Sequence, residues 1–206
     1  MQTIQIAGFS LHTPDAAWVD QAGAEINRNG LCLLRNRRNI LPLKPERCRK
    51  ILIVDVTDEN RRRSSELLKD ELERRGFQAV VMRDIYDVPS NVCWQEDINA
   101  LQNQYDIAIF NMDMAYATAW NAPFMLVWAM HMFDGRKKIV LNYGSPFFAD
   151  TYLPEEATYI EVNADACEAT VSAITDRLFG EAPWCGRSIL HTEPAIALDE
   201  PCGSRE

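Results

Sequence analysis

The sequence predicts an α/β protein: a three-layer αβα sandwich around a mostly parallel sheet of about five or six strands, flavodoxin-like in outline. Three observations carry this. Short β-branched runs alternate with helical stretches along the chain, which demands crossover connections and hence parallel strands. The strongest runs, Ile51 to Val56, Ile107 to Phe110 and Ile139 to Leu141, are nearly continuous in apolar character, as strands covered on both faces should be. Finally, 206 residues with 47% hydrophobic and 25% charged content suit one domain with an ordinary core.

Residues 1–48 read as a lead-in: a helix from Asp15 to Arg28, with Ala16, Val19, Ala22, Ala24 and Ile26 as its apolar positions, then an extra short strand, Leu31 to Leu34. Residues 49–190 form the sandwich. After Ile51 to Val56, Asp58 is placed to cap a helix running from about Glu59 to Arg75. Its Leu67, Leu68 and Leu72 share one face, Asp70/Arg74 and Glu71/Arg75 pair along the other, and Gly76 stops it. Ala79 to Met82 is a second, short strand, Gln95 to Gln104 a polar helix, and Ile107 to Phe110 the third strand. Asn121 with Pro123 opens the next helix and Gly135 closes it. Ile139 to Leu141 and a weaker run from Thr158 to Val162 follow. Asp165 and Glu168 have the spacing of a capping box for a last helix reaching Leu178, before Gly180. Residues 191–206, with Pro194, Pro201 and Gly203, read as a loose tail.

Composition removes several function classes. Twenty-one basic against 30 acidic residues give a net charge of −9, which argues against nucleic acid or an anionic membrane as partner. The longest apolar stretch, Ala122 to Phe133, is too short to cross a bilayer and contains His131. Six cysteines (Cys32, Cys48, Cys93, Cys167, Cys185, Cys202) are scattered singly without a C-x-x-C pair, so no metal is expected, and no basic and apolar leader opens the chain. Reduced thiols in a cytoplasmic protein are the expectation. No glycine-rich phosphate loop follows Ile51 to Val56, so no cofactor is expected.

Catalytic constellations are equally scarce, and no residue is assigned a catalytic role. Ser145 follows a core strand as an elbow nucleophile would, but Pro146 stands where a backbone N–H should build an oxyanion hole. His12, His131 and His191 fall in the lead-in, an apolar helix and the tail. What remains is positional: Asp55, Asp58 and Asp113 should gather at the carboxyl edge of the sheet, where open α/β folds place ligands, with helix capping and solvated loops as the plainer explanation. Met112, Met114, Tyr116, Trp120, Phe124, Met125, Trp128, Met130, Met132 and Phe133 crowd into one stretch, either a central core helix or a docking surface.

Two resemblances refine this. Lys50 to Asp55, then Arg61, Leu68, Leu72 and Arg75-Gly76-Phe77, resemble the opening strand and helix of a two-component receiver domain, and Tyr105 to Phe110 its acceptor strand. Asn111 stands where the phosphoacceptor carboxylate belongs, so that resemblance implies at most a non-catalytic binding or signalling module. A second resemblance runs through most of the chain. Glu25 to Asn36 with Ile40-Leu41-Pro42-Leu43, then Lys138 to Phe147 ending in Gly144-Ser145-Pro146-Phe147, then Leu178-Phe179-Gly180-Glu181-Ala182-Pro183 with Gly186-Arg187, resemble in order three motifs of the second domain of glycoside hydrolase family 3.

That resemblance implies an αβα accessory domain of an enzyme that removes terminal β-linked sugars or N-acetylhexosaminides. The catalytic nucleophile would belong to a (β/α)8 barrel, in cis or in trans, that is not part of these residues. The glutamate-bearing stretch of the β-glucosidase-like branch has no counterpart between Asn111 and Pro123, so the resemblance is nearest to the β-N-acetylglucosaminidase-like branch. Glu161-Val162-Asn163 and Ser188-Ile189-Leu190 depart from the family pattern. The isolated chain is expected to be inactive. Asn111, Asp113, Tyr116, Trp120 and Ser145 are the residues expected to face substrate or the barrel, and an unpaired barrel-facing surface would favour a homodimer.

Overall fold

The computed structural model describes residues 3–6, 9–12, 16–57, 63–83, 99–113, 134–144 and 156–188. The elements are β1 (Thr3–Ile6), β2 (Phe9–His12), α1 (Ala16–Gly30), β3 (Leu31–Arg35), β4 (Lys50–Thr57), α2 (Arg63–Arg74), β5 (Gln78–Met82), β6 (Ile107–Asp113), β7 (Lys138–Asn142), β8 (Thr158–Val162) and α3 (Glu168–Leu178). β1 and β2 pair with each other, antiparallel. The other six strands form one sheet in the order β3-β8-β7-β6-β4-β5, parallel throughout except for β3, which runs antiparallel to β8.

The expected αβα sandwich is therefore present, with β4, β6 and β7 as central strands. Alternate residues of these strands point to opposite sides, and both sides are buried. Ile51, Ile53, Ile109, Ile139, Leu141 and Ile160 pack with Leu68 and Leu72 of α2 and Val171, Ile174 and Leu178 of α3. Leu52, Val54, Phe110, Val140 and Tyr159, on the other side, are sealed just as completely. Two-sided burial is why these strands lack the alternation of a half-exposed sheet.

Helix ends follow local rules. Gly76 takes φ +88°, a left-handed conformation that costs a residue with a Cβ about 1 kcal/mol. This lets the Gly76 and Phe77 amides donate back to the Glu73 and Leu72 carbonyls at 3.0 and 3.1 Å. α3 ends the same way, Gly180 and Glu181 donating to Arg177 and Asp176. The two helix ends are tied by Arg75, which contacts Glu71, Asp176 and Glu181 and lies 4.9 Å over the Phe179 ring, itself stacked on Phe77.

Several local expectations are corrected. β6 runs on through Asn111 and Met112, so Asp113 is its last residue, 3% exposed, rather than part of a solvated loop. α3 begins at Glu168 behind Cys167, not at an Asp165 cap, and no side chain caps it. Arg74 pairs with Glu71 instead of Asp70, and Glu71 is buried toward α3 rather than displayed to solvent. Gly135 opens a short 3-10 turn, Gly135–Lys137, capped by Asp134. β3, placed in the lead-in by the sequence, is an integral edge strand of the main sheet, and the β1–β2 pairing is additional. Asp58, residues 95–98, the run from Met114 to Phe133, and residues 191–206 lie outside the described residues; of the polar helix expected from Gln95 to Gln104, residues 99–102 are helical.

Candidate functional site

The chain moves from β4 outward to β5, then returns past β4 to β6 and continues away through β7 and β8. The parallel strands thus have the order 2-1-3-4-5 in chain sequence, and the direction reverses between β4 and β6. The carboxyl ends of those two strands are the place where such sheets bind ligands. Their register sets Asp55 beside Asn111 and Thr57 beside Asp113, all four on the α2 side of the sheet.

Each of these polar groups is committed within the fold. Thr57 Oγ1 donates to Asp55 Oδ1 at 2.7 Å, and Arg83, also paired to Glu66, approaches the other oxygen at 3.4 Å. Asn111, wholly buried, donates through Nδ2 to Ser64 Oγ and Ser65 Oγ at 2.7 and 2.9 Å, while its Oδ1 has no partner. Asp113 influences Tyr143, which follows β7: burial first, then the charges of Asp113 and Cys167, push the phenol well above its ordinary range. The Tyr143 hydroxyl is buried without a partner. Cys167 is exposed at the start of α3, its sulfur 3.3 Å from Thr170 Oγ1. Burial disfavours the thiolate there, but hydrogen bonds from Thr170 and the backbone outweigh it, so its pKa falls below the usual thiol value. Arg63 and Glu168, 3.2 Å apart, link the starts of α2 and α3 above this edge.

The sequence-selected residues thus divide. Asn111 and Asp113 come together with Asp55, but beneath the surface; Tyr116, Trp120, Ser145, His131 and His191 lie outside the described residues. The register gives no open pair of carboxyl groups for retaining glycoside cleavage, since Asp55 and Asp113 are 4% and 3% exposed. Among the described residues no three metal-ligating side chains gather. Tyr143 and Cys167 carried no signal as single letters in a turn and a helix start. Glu161 and Ser188, singled out in the sequence only as departures from the family pattern, meet: Glu161, 1% exposed on β8, accepts from Ser188 Oγ at 2.8 Å, and its second oxygen is unpartnered. Across from it, burial and the Glu161 charge push the Cys32 thiol up to about 11.

The strand order, the reversal between β4 and β6 and the two-sided core define a flavodoxin-like αβα domain with an added antiparallel edge strand. Solved structures with this fold include the β-glucoside phosphorylase BglX (TM-score 0.60, 20% identity, 82% of this chain and 30% of that one). Another is a fungal multi-domain GH3 β-N-acetylglucosaminidase (TM-score 0.61, 19% identity, 88% and 20%). A third is a β-glucosidase involved in saponin metabolism from intestinal bacteria (TM-score 0.50, 13% identity, 81% and 32%). The chain spans about a fifth to a third of their length, and what it shares with them is the fold. No family model matches the sequence, and no curated protein matches it.

Proposed function

We propose that the chain is the accessory αβα domain of a family 3 glycoside hydrolase, nearest to the β-N-acetylglucosaminidase-like branch, and that it works beside a catalytic (β/α)8 barrel. The observation that carries this reading is that the motif residues, far apart in sequence, meet in space. The Leu43 amide donates to the Leu178 carbonyl at 2.7 Å, a Cβ on Gly180 would stand 3.1 Å from Pro42, and the Gly186 amide donates to the Leu31 carbonyl. Residues of the opening and closing motifs thus form one packed seam, as parts of a single inherited unit should. The similarity in fold to a GH3 β-N-acetylglucosaminidase over 88% of this chain supports the same reading.

The role is non-catalytic in this chain. What supports this is that, among the described residues, the two carboxylates at the carboxyl edge, Asp55 and Asp113, are buried, and Asp55 is paired with Arg83, whereas retaining cleavage needs two open carboxyl groups. The chain is also read as cytoplasmic, in keeping with single, scattered cysteines. The purified chain should not hydrolyse aryl β-N-acetylglucosaminide or aryl β-glucoside. The coding sequence beside it, in frame or in a neighbouring gene, should encode a (β/α)8 barrel. Turnover by the chain alone that Asp113→Asn abolishes would overturn the non-catalytic role, and the absence of any barrel would overturn the accessory one.

A further inference from the structure

We propose that the amino edge of the main sheet is a docking surface for an acidic segment of a partner protein. The overall charge of the chain conceals this surface. Residues 35–50 hold seven basic side chains and one acidic one, a net +6 inside a chain of net −9, so the other 190 residues carry −15. Arg37, Arg38, Lys44, Arg47, Arg49 and Lys50 are exposed. The segment runs from the end of β3 to the start of β4, and β8, β7 and β6 lie between those two strands in the sheet. Four interstrand spacings make the crossing about 19 Å, so the positive charge forms a band along one edge. Arg136, exposed just before β7, adds to it.

The fold fixes this band along its whole course. Asn36 Oδ1 accepts from the Ile40 and Leu41 amides at 3.0 and 3.4 Å, and the Leu43 amide donates to the Leu178 carbonyl at the end of α3. The Arg47 and Cys48 amides donate to the Lys44 carbonyl, and those of Arg49 and Lys50 to Asp106 Oδ2 at 2.7 and 2.9 Å. Leu41, Leu43 and Cys48 are anchored in the core between the exposed cations. A surface ordered before its partner arrives loses little further entropy on binding, and clustered cations speed encounter with an anionic partner.

The acids of this edge are engaged elsewhere: Glu156 with Arg38, Asp134 with Arg136, Asp106 with two backbone amides, and Glu71, Asp176 and Glu181 with Arg75. Lys44, Arg47, Arg49 and Lys50 make no ion pair among the described residues, and they are the cations left to a partner. Three features favour a polypeptide over nucleic acid or lipid headgroups. Glu46, Asp106, Asp134 and Glu156 interrupt the band and would repel an unbroken row of phosphates. Pro42 and Pro45 are exposed among the cations and offer apolar contact. Residues 35–50 contain no aromatic side chain on which a base could stack. An extended segment of about six residues would cross the band. Docking here does not depend on the glycosidase-domain reading.

The test follows, by fluorescence anisotropy, binding of a labelled eight-residue peptide of glutamates with two leucines to the full chain at low and physiological salt. The peptide should bind at low salt and weaken at least about fivefold as salt rises. Its counterpart with glutamine for glutamate should bind at least about tenfold more weakly. Lys44→Glu combined with Arg47→Glu should cost at least about tenfold in affinity, and Lys44→Gln with Arg47→Gln less, both at an unchanged urea midpoint. Lys69→Glu, on α2, should leave binding unchanged. No binding of the glutamate peptide, or equal binding by the native sequence and both double variants, would overturn the site. Tighter binding of an oligouridine of eight nucleotides, or of phosphatidylserine vesicles, would overturn the class of partner. Dimers that dissociate with salt in sedimentation would give the band to a second copy of the chain instead.

Discussion

Arg75 and Asn111 show how single side chains acquire their meaning from the other end of the chain. A sequence-level pairing with Glu71 is present, but Arg75 also meets Asp176 and Glu181 and covers Phe179, so one guanidinium joins α2 to α3. Arg75→Ala should cost about 2 kcal/mol, measured as a fall in the urea midpoint, because it leaves Glu71 short of a donor in a half-buried site. Arg75→Lys should recover only part, since a compact ammonium cannot reach three carboxylates and stack as well. Asn111 sits where a receiver domain would carry its acceptor, yet it is wholly enclosed by the sheet and the two serines of α2. Asn111→Asp should therefore destabilise the fold by about 2–3 kcal/mol and still take no acid-labile phosphoryl group from acetyl phosphate, as judged by intact mass.

At the scale of elements, the chain after α3 closes against β3 through a close approach. A Cβ on Gly186 would lie 2.3 Å from the Leu31 carbonyl oxygen, so Gly186→Ala must displace this segment and lose the Gly186–Leu31 and Ser188–Glu161 hydrogen bonds. Faster amide exchange along β3, with α2 unchanged, is the expected result. β7 carries a different liability: Lys138 is 1% exposed, and burial lowers its pKa to about 8 despite Asp134 and Glu156. Above pH 8 the native state has released a proton that the unfolded chain still holds, so stability should rise from pH 8 to 9. The raised Cys32 acts with the opposite sign, losing stability from about pH 9 upward, which keeps the useful window below pH 9. The urea midpoint should climb between pH 8 and 9 in the native sequence and stay flat in Lys138→Met.

For the whole molecule, the decisive feature is that the sheet is completed by a strand from outside its parallel core. β3 covers the edge of β8, and α1, which precedes it, packs on α3. A chain of residues 49–206 would expose that edge and the α3 surface together, inviting strand addition by other molecules. It should aggregate or lose its cooperative urea transition, whereas the full chain should unfold in one step. A soluble, cooperative 49–206 fragment would show that the parallel strands suffice.

The order of elements was legible in the sequence because it depends on short-range physics. The runs at β4, β6 and β7 are apolar enough to demand burial on both faces, Gly76 and Gly180 end helices by backbone geometry alone, and the spacing between strands permits only crossovers. The carboxyl-edge position of Asp55 and Asp113 followed from the same reasoning. The fate of those groups did not, since burial and pairing depend on contacts between residues far apart along the chain. Nothing local tells that Ser64 and Ser65 will enclose Asn111, that β6 will carry Asp113 two residues past Asn111 into the interior, or that the Tyr143 hydroxyl will be buried without a partner. Periodicity and turn chemistry act within a few residues and determined the elements; desolvation and hydrogen-bond competition act across the packed sheet, and only the tertiary structure decided them.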